Sequence, residues 1–166
     1  MSLFVKIEND YNKDVIMKGG EQMKYLILVS HGGFAAGLKT SLAMFAGDKI
    51  EQVIAVGLKN DETVARFSDD VREALKFLKP EDSVVVLADI VGGSPLTTLC
   101  SVLDEMGKLD DAIILGGMNL PMAITTAVMK DSLEKDALVQ AVLPEAKAAV
   151  QQFSAAETED EDDDEI

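Results

Sequence analysis

Cysteine and histidine each occur once in the 166 residues, and cations are scarce, with 15 Lys+Arg against 30 Asp+Glu. One cysteine excludes an internal disulfide framework. One cysteine with one histidine cannot assemble a Cys/His zinc site. A formal charge of −15 leaves no basic face with which to neutralise nucleic-acid phosphates or dock on an anionic membrane. No apolar run approaches the roughly 20 residues of a membrane helix, and no charged–apolar–small leader opens the chain. These absences predict a soluble protein of a reducing compartment, the cytoplasm, with no nucleic-acid partner and no direct membrane insertion.

What is present suffices for one domain with a proper core: 48% of residues are hydrophobic and 27% charged. The acidity is concentrated. Eight acids lie between Glu157 and Glu165, about half of the net charge, and such a block repels itself and stays solvated. It reads as a solubilising tail, with an electrostatic handle for a basic partner as the functional alternative. At the other end, Met23 is followed at once by a strand pattern, whereas residues 1–22 carry a short mixed-charge segment and then Lys18-Gly19-Gly20. The expected organisation is therefore a leader or extension over 1–22, a folded domain over 23–153 and a disordered acidic tail over 154–166.

Four apolar runs predict strands: Tyr25–Val29, Val53–Val56, Val84–Ala88 and Ala112–Leu115. Runs without polar alternation suit strands covered on both faces, as in parallel sheets. Between them lie helical patterns. Leu38, Leu42 and Phe45 mark a first helix stopped by Gly47. Val64, Phe67, Val71, Leu75 and Leu78 stripe a second, capped by Asn60 or Asp61 and stopped by Pro80. Ser94-Pro95 reads as a cap and first-turn proline for a third, whose Leu96, Leu99, Cys100 and Leu103 face the sheet and which Gly107 ends. Pro121 opens a fourth, and Leu138–Phe153 reads as a last helix with room for a short edge strand before it. The layout is an α/β open doubly wound, mainly parallel sheet with helices on both faces. Ligands of such sheets bind beyond the carboxyl ends of the strands, where strand order reverses.

The loops at those strand ends are Ser30-His31-Gly32-Gly33, Asp89-Ile90-Val91-Gly92-Gly93-Ser94-Pro95 and Gly116-Gly117-Met118-Asn119-Leu120-Pro121-Met122. His31 is the sole imidazole, and a neutral ring nitrogen can attack a phosphoryl group. Its other nitrogen then needs an acceptor to fix tautomer and orientation, and Asp89 on a neighbouring strand is the candidate. Gly92, Gly93 and Ser94 let backbone N–H groups at a helix start approach an anion, and the Ser94 hydroxyl can add a donor. A nucleophile, an orienting carboxylate and a phosphate cradle then share one crevice.

Each piece also has a plainer reading. A histidine in a glycine loop can be a turn residue, Asp89 a turn cap, and Gly-Gly-Ser-Pro an efficient strand-to-helix turn. Gly32 to Gly37 imitates the spacing of a P-loop, but Leu38 stands where its lysine belongs. Cys100 reads as core, and Met118 and Met122 flank the crevice where they can line a docking surface. Placement on three strand ends is what raises these signals.

In order and spacing, Val29-Ser30-His31-Gly32, Asp89-x-x-Gly92-Gly93-Ser94-Pro95 and Gly117-x-Asn119-Leu120-Pro121-Met122 resemble the enzyme IIA component of the mannose-class sugar phosphotransferase system. The resemblance runs from about Met23 to Phe153. It implies a homodimer exchanging an antiparallel edge strand near the C-terminus, and transient phosphorylation of His31. The phosphoryl group would come from the phosphocarrier HPr and pass to a histidine of a separate IIB component, then to sugar entering through membrane components that choose it. By position, His31 is the phospho-acceptor, Asp89 its hydrogen-bond partner and Ser94 a phosphate contact, with no cofactor or metal required. Ser30 keeps the hydroxyl that many relatives carry as threonine, and Asn119 sits on the rim without an assigned role.

Three rivals stand beside it. The phosphotransfer subunit of a dihydroxyacetone kinase also uses a histidine after the first strand, but Gly-Gly-Ser-Pro and Asn-Leu-Pro-Met favour the mannose class. A non-catalytic regulatory binding module is the second. A histidine phosphatase is disfavoured because both arginines, Arg66 and Arg72, fall in the second predicted helix.

Overall fold

The unbroken apolar runs become four strands of one sheet in the computed structural model, which describes residues 22–154. β1 (Lys24–His31), β2 (Val53–Leu58), β3 (Ser83–Ala88) and β4 (Ile113–Gly116) all run parallel in the order β2-β1-β3-β4. β1 is central, with Val29 opposite Val56 on one side and Ala88 on the other. The helices are α1 (Phe34–Ala46), α2 (Val64–Leu75), α3 (Ser94–Glu105), α4 (Leu120–Met129) and α5 (Lys135–Ala148).

Alternate residues of β1 and β3 serve two cores. Leu26, Leu28, Val85 and Leu87 pack with α1, α4 and α5, whereas Ile27, Val29, Val86 and Ala88 pack with α2 and α3. The chain thus winds one way from β1 through α1 and the other way from β2 through α2. Order reverses between β1 and β3, so the crevice of such a sheet lies at their carboxyl ends. The sequence called for this architecture, and the structure has it.

Local details differ from the sequence expectations. In α1 the inward residues are Ala35, Leu38, Leu42 and Ala46, while Phe45 is 57% exposed. A helix rotates about 100° per residue, so the seam that holds Leu38 and Leu42 continues through Ala46 and turns Phe45 outward. In α2 the cap is Thr63, whose Oγ1 accepts from Arg66 N–H at 3.2 Å; Asn60 and Asp61 lie earlier, in the turn after β2. Val64 is exposed, and the buried stripe is Phe67, Val71, Leu75 and Leu78. The extended residue before α3 is Gly93, so Ser94 is already helical instead of capping. The last helix spans Lys135–Ala148, not Leu138–Phe153, because beyond Ala148 the apolar residues Val150 and Phe153 meet solvent. Among the described residues no fifth strand forms before it, and Leu138, Val142 and Ala146 commit this region to the core. Residues 1–21 of the expected leader and 155–166 of the expected tail lie outside the described residues.

The amino edge of the sheet is tied by polar groups. Met23 N–H donates to Asp82 Oδ1 at 3.0 Å, and Ser83 N–H donates to Met23 O. Lys108, nearly buried, donates to the carbonyls of Lys79, Asp82 and Pro80 at 2.6, 2.7 and 3.3 Å. Lys130, fully buried at the end of α4, bonds Gln52 and Asp131. Burial pushes its ammonium below the usual lysine range, despite Asp131.

Candidate functional site

His31 is the last residue of β1, and Asp89 follows β3, its neighbour, so the pairing of the two strands brings them together. Asp89 Oδ2 accepts from His31 backbone N–H at 2.8 Å and lies 2.9 Å from ring Nδ1; Oδ1 accepts from Ile90 N–H at 2.8 Å. Partial burial alone would raise the Asp89 carboxyl. Hydrogen bonds from the His31 backbone, the His31 ring and the Ile90 backbone outweigh it and hold the group below the usual carboxylate range. An ionised carboxylate can only accept, so Nδ1 carries the ring proton and Nε2 keeps its lone pair.

It belongs to a side chain that is 47% exposed, beside an Asp89 that is only 14% exposed. The ring also lies against Gly93: a Cβ there would stand 2.9 Å from Cε1 and 3.5 Å from Nε2 of His31. Glycine at 93 is therefore what allows the imidazole edge to reach the start of α3. The first N–H groups of a helix have no intrahelical acceptor. Pro95 has none to offer, which leaves those of its neighbours to face an anion. Gly92 forms the bend with φ +78°, and Ser94 is exposed as the first residue of α3. All five residues singled out by sequence, His31, Asp89, Gly92, Gly93 and Ser94, thus lie at the carboxyl ends of two adjacent strands.

Residues that sequence reasoning left aside hold this arrangement. Ser30 is fully buried, and its Oγ accepts from Ala35 N–H at 2.8 Å, supplying the start of α1 with the acceptor that Gly33 lacks. Gly32 N–H donates to Leu58 O at 2.7 Å, and a Cβ on Gly57 would fall 2.1 Å from Gly32 O. The β1 loop therefore lies directly over a glycine of β2. Its place inside a strand was the available signal, since glycine there marks a close backbone approach.

Asn119 has a structural role. Its Oδ1 accepts from Met122 N–H at 3.0 Å as the cap of α4, and its Nδ2 donates to Ala146 O of α5 at 3.1 Å. Met118 and Met122 are buried in the core and line no docking surface. Their place in the strand-end loop suggested exposure, but both side chains join the core on the α1–α4–α5 face of the sheet. Cys100 is half-buried beside the α2–α3 core, and burial pushes its thiol up, which makes it a poor nucleophile.

A hollow of about 780 Å³ opens at the opposite, amino edge, lined by Lys24, Lys49, Asp111, Asp131 and Lys135 among others. It touches none of the strand-end loops. Among the described residues no three His, Cys, Asp or Glu side chains gather where they could hold a metal ion, and no helix is long and apolar enough to cross a membrane.

Comparison with known proteins finds relatives over most of the described fold. A family model described as PTS system fructose IIA component, EIIA-man, matches residues 25–143. The fructose-specific EIIA component of the PTS system of Bacillus subtilis (strain 168) is 31% identical over 108 residues, covering 65% of this chain and 71% of that protein. Among solved structures, the phosphotransferase-system EIIA of Streptococcus agalactiae is similar with a TM-score of 0.65 at 25% identity, over 79% of this chain and 98% of that one. The mannose/sorbose-specific IIA subunit of Enterococcus faecalis has a TM-score of 0.63 at 27% identity, over 80% and 96%.

Proposed function

This chain belongs to the EIIA-man family of sugar phosphotransferase-system components, and we propose that it carries the phosphoryl group on Nε2 of His31. The observation behind the choice of atom is the 2.9 Å contact between Nδ1 and Asp89, which occupies Nδ1 and leaves Nε2 as the nitrogen with a free lone pair on a half-exposed ring.

The transfer balances without a further reactant. The Nε2 lone pair attacks phosphorus of a phosphohistidine on HPr, the new P–N bond forms as the donor's P–N bond breaks, and the donor ring takes back its electron pair. Phosphorylated His31, with its proton retained on Nδ1, carries positive charge on the ring that the Asp89 carboxylate stabilises. Backbone N–H groups at the start of α3, around Gly92, Gly93 and Ser94, face the equatorial oxygens. The second half is the same reaction towards a histidine of the IIB component. Since the ring is already oriented, little reorganisation is needed in either direction.

The protein works in the cytoplasm, as a homodimer, between HPr and IIB. Its self-association leaves residues 135–148 in α5, whose apolar face is already used.

Intact mass after incubation with phosphoenolpyruvate, enzyme I and HPr tests the reading. One acid-labile phosphoryl group on the wild type and none on His31→Ala is expected. A folded wild type that takes up no phosphoryl group, or a His31→Ala variant that does, would overturn it.

A further inference from the structure

The hollow at the amino edge has no part in that chemistry, and the order of the strands separates its charges. Lys24 opens β1, Ser83 opens β3 and Asp111 stands just ahead of β4, while Lys49 and Gln52 lie in the turn Gly47–Gln52 that leads into β2. Lys24 pairs with Ser83 and Val85 with Ile113, so Lys24, Ser83 and Asp111 fall in one row across the sheet. Neighbouring strands are about 4.8 Å apart, which puts the backbones of Lys24 and Asp111 about 10 Å from each other.

At the β2–β1 end, three ammonium groups surround one carboxylate. Asp131 Oδ1 accepts from Lys130 Nζ at 2.7 Å and Oδ2 accepts from Lys49 Nζ, while Lys130 Nζ also donates to Gln52 Oε1. Lys24 Nζ donates to Leu133 O at 3.2 Å. The three cations feel one another: burial is the main cause that pushes Lys130 down, and the charges of Lys49 and Lys24 push it further. One acid among three lysines leaves about two positive charges uncompensated. An ammonium has three N–H donors, so Lys24 and Lys49 keep some for a ligand. At the β4 end the balance is opposite. Asp111 and Glu134 line the hollow there with Lys135, whose Nζ donates to Asp110 O at 3.4 Å.

We propose that the hollow binds a small phosphorylated polyol of hexose-phosphate size, with its phosphate on Lys24 and Lys49 and its hydroxyl groups on Ser83, Asp111 and Glu134. A phosphate dianion matches the uncompensated charge of one end. Carboxylates only accept, so the other end takes hydroxyl donors and repels a second anion, which fixes the direction of the ligand. A volume of about 780 Å³ is that of a small-molecule site, and fully buried Lys130 backs its cationic end through Gln52 and Asp131. The site lies at the opposite end of the strands from His31 and does not depend on the carrier reading.

Amide-shift titration of the isotope-labelled full chain tests it, with glucose 6-phosphate, inorganic phosphate and glucose as probes. Glucose 6-phosphate is expected to shift the amides of Lys24, Lys49, Ser83 and Asp111 saturably, about tenfold more tightly than inorganic phosphate, with glucose silent. Lys24→Gln and Lys49→Gln should each weaken both phosphates by about tenfold. Asp111→Ala should cost glucose 6-phosphate its advantage and leave inorganic phosphate as in the wild type. No saturable shift, lysine variants that bind as the wild type does, or shifts confined to Gly92, Gly93 and Ser94 would overturn the site. Equal affinity for the two phosphates would overturn the polyol. A chain that takes up no phosphoryl group on His31 would sink the carrier reading without touching this one.

Discussion

One oxygen of Asp89, Oδ2, accepts both from the backbone N–H of His31 at 2.8 Å and from its ring Nδ1 at 2.9 Å. The same atom therefore sets where the end of β1 lies and how the imidazole is turned. Oδ1 anchors the carboxylate to its own loop through Ile90 N–H. Three donors meet one ionised group, and this accounts for its low proton affinity.

Replacing Asp89 by Asn leaves one accepting oxygen where two are needed. Either the His31 pair or Ile90 N–H loses its acceptor, at a cost of about 1–2 kcal/mol in stability. On the carrier reading proposed above, the ring also loses the negative charge that would steady its phosphorylated state. Phosphoryl uptake is expected to slow by about 100-fold in a protein that still unfolds cooperatively. Wild-type rates in rapid-quench transfer would remove Asp89 from the mechanism.

The pH dependence follows from the same group. A carboxyl whose folded pKa lies below its unfolded value contributes stability that is complete above the unfolded value, 3.8, and is lost as pH falls through the folded one. Denaturant titrations of wild type and Asp89→Asn should therefore differ most near neutrality and converge in strong acid. A gap that widens on acidification contradicts the assignment.

Gly93→Ala separates position from stability. The backbone at 93, with φ −70° and ψ 157°, accepts alanine, but its Cβ would sit 2.9 Å from His31 Cε1. The ring must move off the start of α3. Uptake is expected to fall by about tenfold or more, with a change in stability of less than about 1 kcal/mol. Unchanged kinetics would mean that contact between the ring and this loop is dispensable.

Lys108→Met should do the reverse. It strips three carbonyls at the amino edge of their shared donor, and a loss of about 2–4 kcal/mol is expected. His31 stands at the other end of the strands, so the phosphoryl uptake rate is expected to stay as in the wild type. Denaturant unfolding together with intact mass decides it.

The parallel sheet and its crevice were legible because the strand runs Tyr25–Val29, Val53–Val56 and Val84–Ala88 are apolar at every position, which only a doubly covered sheet explains. The candidate residues were legible because chemistry-bearing types fell at successive strand ends. What stayed hidden depends on the direction of single side chains. Phe45 outweighs Ala46 in hydrophobicity, yet helix rotation gives the core to Ala46. Thr63 caps α2 although Asn60 and Asp61 are stronger cap formers, because Thr63 alone stands at the extended residue before the helix. Met118 and Met122 lie in a surface loop by sequence, and only the packing of α4 against α1 shows them inside. The role of Gly57 required knowing that the loop after β1 passes over β2.

His31 and Asp89 are 58 residues apart, and their contact depends on the pairing of β1 with β3. During synthesis the histidine emerges long before its carboxylate, with β2 and all of α2 made in between. Until Ala88 settles opposite Val29, the imidazole is an ordinary exposed side chain with no fixed tautomer. Pairing strands across so long a loop in a parallel sheet is intrinsically slow. Unfinished and misfolded copies therefore contain the histidine without the means to orient it, because the geometry of the imidazole depends on the sheet having closed.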